Sequence, residues 1–323
     1  MTILVCGGAG YIGSHTVKEL LGNYEVIILD NLTTGYPFLL DGNAIFEKGE
    51  LGNEAVLDRI FTKYDIDAVF HFAANSLVGE SVQNPMKYYR NNVNATVVLL
   101  EKMIEHGIGK FIFSSTAATY GIPETELITE DTKTNPINPY GKSKLMIEDI
   151  LTDISKVHNF EYIVLRYFNA AGAHISGEIG ESHDPETHLI PIVLKHLLGE
   201  RDKVSVFGTD YDTPDGTCIR DYIHVTDLAN AHILAYEGMV NGHVSNEVFN
   251  LGNGAGYSVK EIIDICEKVS GKSAVIEYAD RRPGDPAVLV ASSKKIEEKL
   301  WWKPKFKLEE IIESAWRWHS NEK

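Results

Sequence analysis

The chain is short of cysteine, of cations and of long apolar runs. Cys6, Cys218 and Cys266 are its only cysteines, odd in number and far apart. No Cys-x-x-Cys pair occurs, so the sequence offers no basis for a disulfide framework or a cysteine zinc site. A reducing, cytoplasmic setting is expected. Lys and Arg number 30 against 46 Asp and Glu, a net charge of −16. That balance repels phosphate backbones and anionic bilayers, which argues against nucleic-acid and membrane partners. No stretch reaches the roughly 18 apolar residues a membrane span needs. The segment Met1 to Cys6 runs straight into glycines, with no basic region or cleavage site of a secretory signal. The 12 histidines show no His-Glu-x-x-His spacing. His183 and His188 read as solvated side chains of a polar loop, and no metal is expected.

What is present is a regular alternation. Hydrophobic residues make up 44% of 323, enough for a substantial core. Short β-branched or aromatic runs (2–5, 25–29, 68–72, 110–113 and 162–167) alternate with amphipathic segments (12–21, 55–64, 88–106 and 143–157). Such alternation predicts an α/β fold, a doubly wound parallel sheet with helices on both faces. After about residue 170 the pattern loosens into Gly, Pro and acidic loops, with helices expected at 189–198, 258–270 and 308–319. The expected division is a nucleotide-binding domain over 1–170, rejoined by a segment of about 223–252, and a smaller, mainly substrate-binding lobe over 171–323.

Gly7-Gly8-Ala9-Gly10-Tyr11-Ile12-Gly13 follows the first strand and opens the first helix. Glycines at these places let the backbone turn, approach a pyrophosphate and pack helix on sheet, with the helix N-terminus facing the negative charge. Asp30 ends the next strand, about 20 residues on, where an acid accepts hydrogen bonds from ribose hydroxyls. It would repel a 2′-phosphate, and no Arg or Lys lies between Asn31 and Tyr36 to welcome one. The expected cofactor is therefore NAD in a Rossmann-type domain.

Tyr140 and Lys144 stand four apart, one turn along the same helical face. A free tyrosine titrates near pH ~10, and moving that to ~7 takes about 4 kcal/mol. One ammonium about 4 Å away, at an effective dielectric near ~20, supplies about that much. A Tyr-Lys pair can thus act as an acid/base, whereas Tyr-x-x-x-Lys elsewhere is commonly an aromatic anchor beside a solvated lysine. Upstream, the Ser114, Ser115 and Thr116 hydroxyls leave the carboxyl end of a strand, either to hold a substrate hydroxyl or only to cap a loop.

Together, the glycine turn, Ser114 to Gly121 and Tyr140 to Lys144 resemble the extended short-chain dehydrogenases/reductases, and within them the sugar-nucleotide 4-epimerases. The likeness runs nearly the whole length, through Val78 to Val82, Leu165 to Asn169, Asp215 to Val225 and Arg281 to Asp285. It implies an NAD-dependent enzyme that inverts C4 of a UDP-hexose through a 4-keto sugar, as a homodimer.

The resemblance also assigns roles. Tyr140, Lys144 and Thr116 are the implied catalytic residues. Gly7, Gly10, Tyr11, Ile12, Gly13, Asp30, Asn31, Glu50, Leu51, Phe72, Ala73, Asn91, Ser114 and Phe168, with Tyr140 and Lys144, are the implied NAD contacts. Asn169, His188, Leu189, Phe207, Arg220, Tyr222, Arg282 and Asp285, with Thr116 and Tyr140, are the implied UDP-sugar contacts. Arg220 and Arg282 would be the local cations an acidic protein needs for a diphosphate; without the resemblance, ordinary pairing with Asp221 or Asp285 reads better.

Four positions depart from the family's pattern. Ser76 replaces a common lysine, Glu50 an Asp and His188 an Asn, while Leu289, of middling size, leaves N-acetylated UDP-sugars open. A sugar-nucleotide 4,6-dehydratase would need an acid and a base directly after the threonine, where Ala117 and Ala118 stand. A non-catalytic dinucleotide sensor would need neither Tyr140 with Lys144 nor Arg220 with Arg282.

Overall fold

The structure, a computed structural model, describes residues 1–282 and 285–321. In chain order the first half holds β1 (Thr2–Cys6), α1 (Tyr11–Leu20), β2 (Glu25–Asp30), β3 (Ile45–Lys48), α2 (Glu54–Lys63), β4 (Ile66–His71), α3 (Val78–Gln83), α4 (Pro85–Tyr88), α5 (Ala95–Glu105), β5 (Lys110–Thr116), β6 (Leu127–Ile128), α6 (Pro139–Ser155) and β7 (Glu161–Tyr167). There follow β8 (Asn169–Ala171), α7 (Leu189–Leu197), β9 (Val204–Phe207), β10 (Ile219–His224), α8 (Val225–Val240), β11 (Glu247–Leu251), β12 (Gly256–Ser258), α9 (Val259–Ser270), β13 (Ile276–Ala279), β14 (Val288–Ala291), α10 (Lys294–Leu300) and α11 (Leu308–Asn321).

Seven strands form one parallel sheet in the order β11-β7-β5-β4-β1-β2-β3. Its apolar strands are continuous because both faces are covered. In β1, Ile3 and Val5 face one core with α1 and α8, while Leu4 and Cys6 face another with α2, α5 and α6. The order reverses between β1 and β4, and ligands of open sheets bind beyond the carboxyl ends at such a switch. Strand β11 pairs in parallel with β7, and α8 packs against α1.

A third core, holding Ile190, Val193, Tyr222, Ile262 and Ile311, lies under α7, α9 and α11. Around it, β10 pairs with β8, β12 and β14, and β9 with β13. Among the described residues no helix is long and apolar enough to cross a membrane.

Two helices differ from the sequence expectation. The segment 88–106 is not one α-helix: a π-helical run, Tyr89–Asn94, separates α4 from α5. The widened turn directs Asn92 inward, where it accepts from Asn75 N at 2.9 Å and donates to Asn75 O and Ser143 Oγ at 3.0 and 3.1 Å. Helix α6 starts four residues earlier than expected, because Asn138 caps Gly141 N at 2.8 Å and Pro139 suits the first turn.

Candidate active site

The glycine turn fits a dinucleotide. A Cβ on Gly13 would lie 2.1 Å from Gly7 O, so nothing larger allows the turn to close on the helix. Gly10 begins α1 with no side-chain cap, leaving the first-turn N–H groups of Tyr11, Ile12 and Gly13 available to an anion. Asp30, buried, accepts from Ala9 N at 3.0 Å and Leu32 N at 2.8 Å, which fixes its carboxylate beside the turn.

The remaining expected cofactor contacts gather along the same strand ends. Asn31 donates to Glu50 at 3.1 Å, with Leu51 next to it against the core. Phe72 N and Ala73 N both donate to Cys6 O, at 2.8 and 3.0 Å. Asn91 donates to Asn92 at 3.0 Å. Ser114 Oγ bonds Tyr167 OH at 2.7 Å, and Phe168 sits half-buried between β7 and β8. Tyr11 turns its hydroxyl to Gly172 O at 2.6 Å. Ser76 is exposed, just before α3.

Thr116 ends β5, and Tyr140 stands in the first turn of α6. Gly141 lets the two elements meet, since a Cβ there would lie 2.4 Å from Ala118 O. Lys144, 3% exposed, donates to Ser114 O at 2.8 Å and lies 4.8 Å over the Phe113 ring.

The electrostatics depart from the sequence expectation. Burial raises Tyr140 above the usual tyrosine value, and its hydrogen bond with Thr116 only partly opposes this. Burial also lowers Lys144 to about 7, with Glu148 pulling the other way. Desolvation costs both charged forms, and the ammonium is spent partly on a backbone carbonyl. The protein's own groups therefore leave the phenol protonated, and further positive charge is needed to ionise it.

On the lobe, Arg220 pairs with Asp285 and donates to Ile219 O at 2.7 Å. Among the described residues, the pairing expected for an ordinary arginine thus exists with Asp285 and not with Asp221. Asp221 instead accepts from the N–H groups of Asn253, Gly254 and Ala291 at 2.7, 3.1 and 3.1 Å. Arg282 lies 4.0 Å over the Phe207 ring. Pro283 and Gly284, between Arg282 and Asp285 in the motif, lie outside the described residues. Tyr222 shares a strand face with Arg220, is nearly buried in the lobe core, and neighbours Asn169 across β8 and β10. Leu189 opens α7 against the same core. Leu289 pairs with Arg220 in register, beside the implied diphosphate contacts.

The reading of His183 as a solvated loop residue is corrected, since it is half-buried, while His188 is exposed as expected. Both turn onto Glu181 and Glu186. His188 commits Nδ1 to Glu181, leaving Nε2 for any nucleotide contact.

Sequence reasoning also missed the support beneath the helix. Arg166 and Glu148 form a buried ion pair at 2.5 Å, Ser115 donates to Glu148 at 2.5 Å, and Arg166 donates to Tyr120 OH at 3.0 Å. Tyr120 in turn donates to Asn250 at 2.7 Å. The available signal was an arginine inside an otherwise apolar strand, which requires a buried carboxylate.

The NAD dependent epimerase/dehydratase family matches residues 3–252. A curated UDP-glucose 4-epimerase from Halalkalibacterium halodurans is 55% identical over 99% of this chain and 96% of its own. A crystal structure of a UDP-glucose 4-epimerase superposes with a TM-score of 0.98 at 53% identity, covering 100% of this chain and 98% of the other. The UDP-glucose 4-epimerase from Bifidobacterium longum, solved with NAD+ and UDP, gives a TM-score of 0.93 at 41% identity, with coverages of 100% and 99%.

Proposed function

The chain belongs to the NAD dependent epimerase/dehydratase family, and on that premise we propose that it interconverts UDP-glucose and UDP-galactose at C4 through a 4-keto sugar. The observation that carries the chemistry is the hydrogen bond between Tyr140 and Thr116 at the carboxyl end of β5, with Lys144 one turn along α6 and bonded to Ser114 O.

NAD, when bound, would supply a hydride acceptor, then a donor, and the positive charge that favours the anionic phenol. Gly7, Gly10, Tyr11, Ile12 and Gly13 hold the pyrophosphate, Asp30 the adenosine ribose, and Asn31, Glu50 and Leu51 the adenine side. Phe72, Ala73, Asn91, Ser114 and Phe168 line the route to the nicotinamide. Tyr140 takes the proton of the C4 hydroxyl and later returns one, Thr116 sharing the hydrogen bond. Lys144 favours the anionic form of Tyr140.

Asn169, His188, Leu189, Phe207, Arg220, Tyr222, Arg282 and Asp285 hold the UDP-sugar. Because the nucleotide stays anchored, the ketone can swing about its diphosphate and present its other face without escaping. Residues 1–170 and 223–252 serve the cofactor in this division, and the rest of 171–323 mainly serves the substrate. The reading extends to a cytoplasmic homodimer joined through α5 and α6, where Met146 stands exposed.

The test is to give purified protein UDP-galactose without added reductant and follow UDP-glucose. Net-neutral conversion is expected; cofactor binding without turnover would leave only a dinucleotide sensor. UDP-N-acetylgalactosamine in parallel measures how much room Leu289 allows.

A further inference from the structure

Eight residues, from Glu181 to His188, place two carboxylates and two imidazoles on one point. Their four ligand atoms lie within 4.8 Å of one another. His183 Nδ1 is 3.3 Å from Glu181 Oε1 and 3.7 Å from Glu186 Oε2, and His188 Nδ1 is 3.8 Å from Glu186 Oε1 and in contact with Glu181 Oε1. Bonds of about 2.0–2.1 Å from a tetrahedral ion to nitrogen and oxygen ligands would separate those ligands by about 3.4 Å. His183 Nδ1 to Glu181 Oε1, at 3.3 Å, matches such an edge, while His188 Nδ1 and Glu181 Oε1, now hydrogen-bonded, would move apart to admit an ion.

A second observation points the same way. The Glu186 side chain is 3% exposed, its Oε1 accepts from Thr187 N and His188 N at 2.8 and 2.9 Å, yet its Oε2 has no hydrogen-bond partner. That oxygen faces His183 Nδ1 at 3.7 Å, beyond hydrogen-bond reach, and His183 Nδ1 itself lies 3.3 Å from Glu181 Oε1. A buried carboxylate oxygen without a hydrogen-bond partner is costly, and one facing a ring nitrogen across 3.7 Å marks a position that a cation would satisfy. Glu181 is equally buried, with its carbonyl held by Trp318 Nε1 at 3.1 Å.

We propose that Glu181, His183, Glu186 and His188 bind one divalent transition-metal ion of the zinc type. Two imidazoles, which would release to the solvent the protons that the carboxylates now favour on them, and two carboxylates suit such an ion better than magnesium or calcium, which take oxygen ligands. One divalent ion balances both carboxylates. Its place in the fold gives it a structural task. The His183 ring meets the Tyr11 ring edge-on at 6.2 Å, and His188 directly precedes α7, which has no side-chain cap. The ion ties the first turn of α1 to the start of α7, between the cofactor and nucleotide sides.

The experiment is calorimetric titration of Zn²⁺ into chelator-treated full-length protein, beside His183→Ala and Glu186→Gln, with a thermal melt of each. One equivalent per chain is expected, weakened at least tenfold in each variant, with a Zn²⁺-dependent rise in Tm in the wild type alone. No saturable binding, or equal binding in both variants, would overturn the site. Glu186→Gln preserves side-chain size and decides the matter by itself if His183→Ala does not fold. Turnover is not among the readouts, so the outcome stands apart from the epimerase chemistry.

Discussion

Lys144 Nζ donates to the backbone carbonyl of Ser114 at 2.8 Å, tying the helix that carries Tyr140 to the strand that ends in Thr116. One hydrogen bond therefore sets the spacing between the acid/base and the hydroxyl that shares its proton. It also removes part of the ammonium's field from the phenol.

Replacing Tyr140 by Phe keeps the ring's packing and deletes the proton carrier. Turnover of UDP-galactose is expected to fall by about 10²–10⁴, the range of a lost general acid/base, with NAD content of the purified protein unchanged. Near-normal turnover would remove Tyr140 from the mechanism.

Lys144→Met should separate stability from activity. The folded value of Lys144 lies near 7 against its usual 10.5. Below about 7 the lysine is charged in both folded and unfolded states, and the burial cost is fully felt. Between about 7 and 10.5 the folded state sheds its proton first, so the wild type gains stability as pH rises. In ligand-free protein the variant is thus expected to be more stable by up to about 5 kcal/mol at pH ~6, with the gap closing toward pH ~10, while its turnover falls. Urea unfolding at three pH values checks this; a pH-independent difference would contradict it.

Arg220→Met removes a cation that Asp285 holds in place on β10. A charged hydrogen bond contributes about 1.5–3 kcal/mol, so KM for the UDP-sugar should rise about 10- to 100-fold. The effect on kcat should be smaller, because the diphosphate is remote from C4. Steady-state kinetics that showed a pure kcat loss would place Arg220 elsewhere in the reaction.

Glu148→Gln strands the Arg166 guanidinium inside the protein, 6% exposed. Breaking a buried pair from one side costs about 3–5 kcal/mol. Replacing both together, Glu148→Leu with Arg166→Met, should cost less than the single change, since no charge is left alone. Denaturant unfolding of the three proteins measures the difference; a double variant less stable than Glu148→Gln would mean that the two side chains are not coupled.

The sequence by itself determined the pattern that repeats locally. Apolar strands spaced by amphipathic helices imply a covered parallel sheet, and the turn from Gly7 to Gly13 with Asp30 beyond it needs only chain-local geometry to be read. The Tyr140–Lys144 spacing is likewise a property of any helix. Tertiary structure alone decided what depended on burial and distant partners. It put Arg220 on Asp285 rather than Asp221, and inserted a π-helical run so that Asn92 could reach Asn75 and Ser143. It folded His183 and His188 onto two buried carboxylates. It also raised Tyr140 and lowered Lys144 together. The physical reason is common to all of them: desolvation and pairing are set by which atoms exclude water around a group, and sequence spacing carries no measure of that.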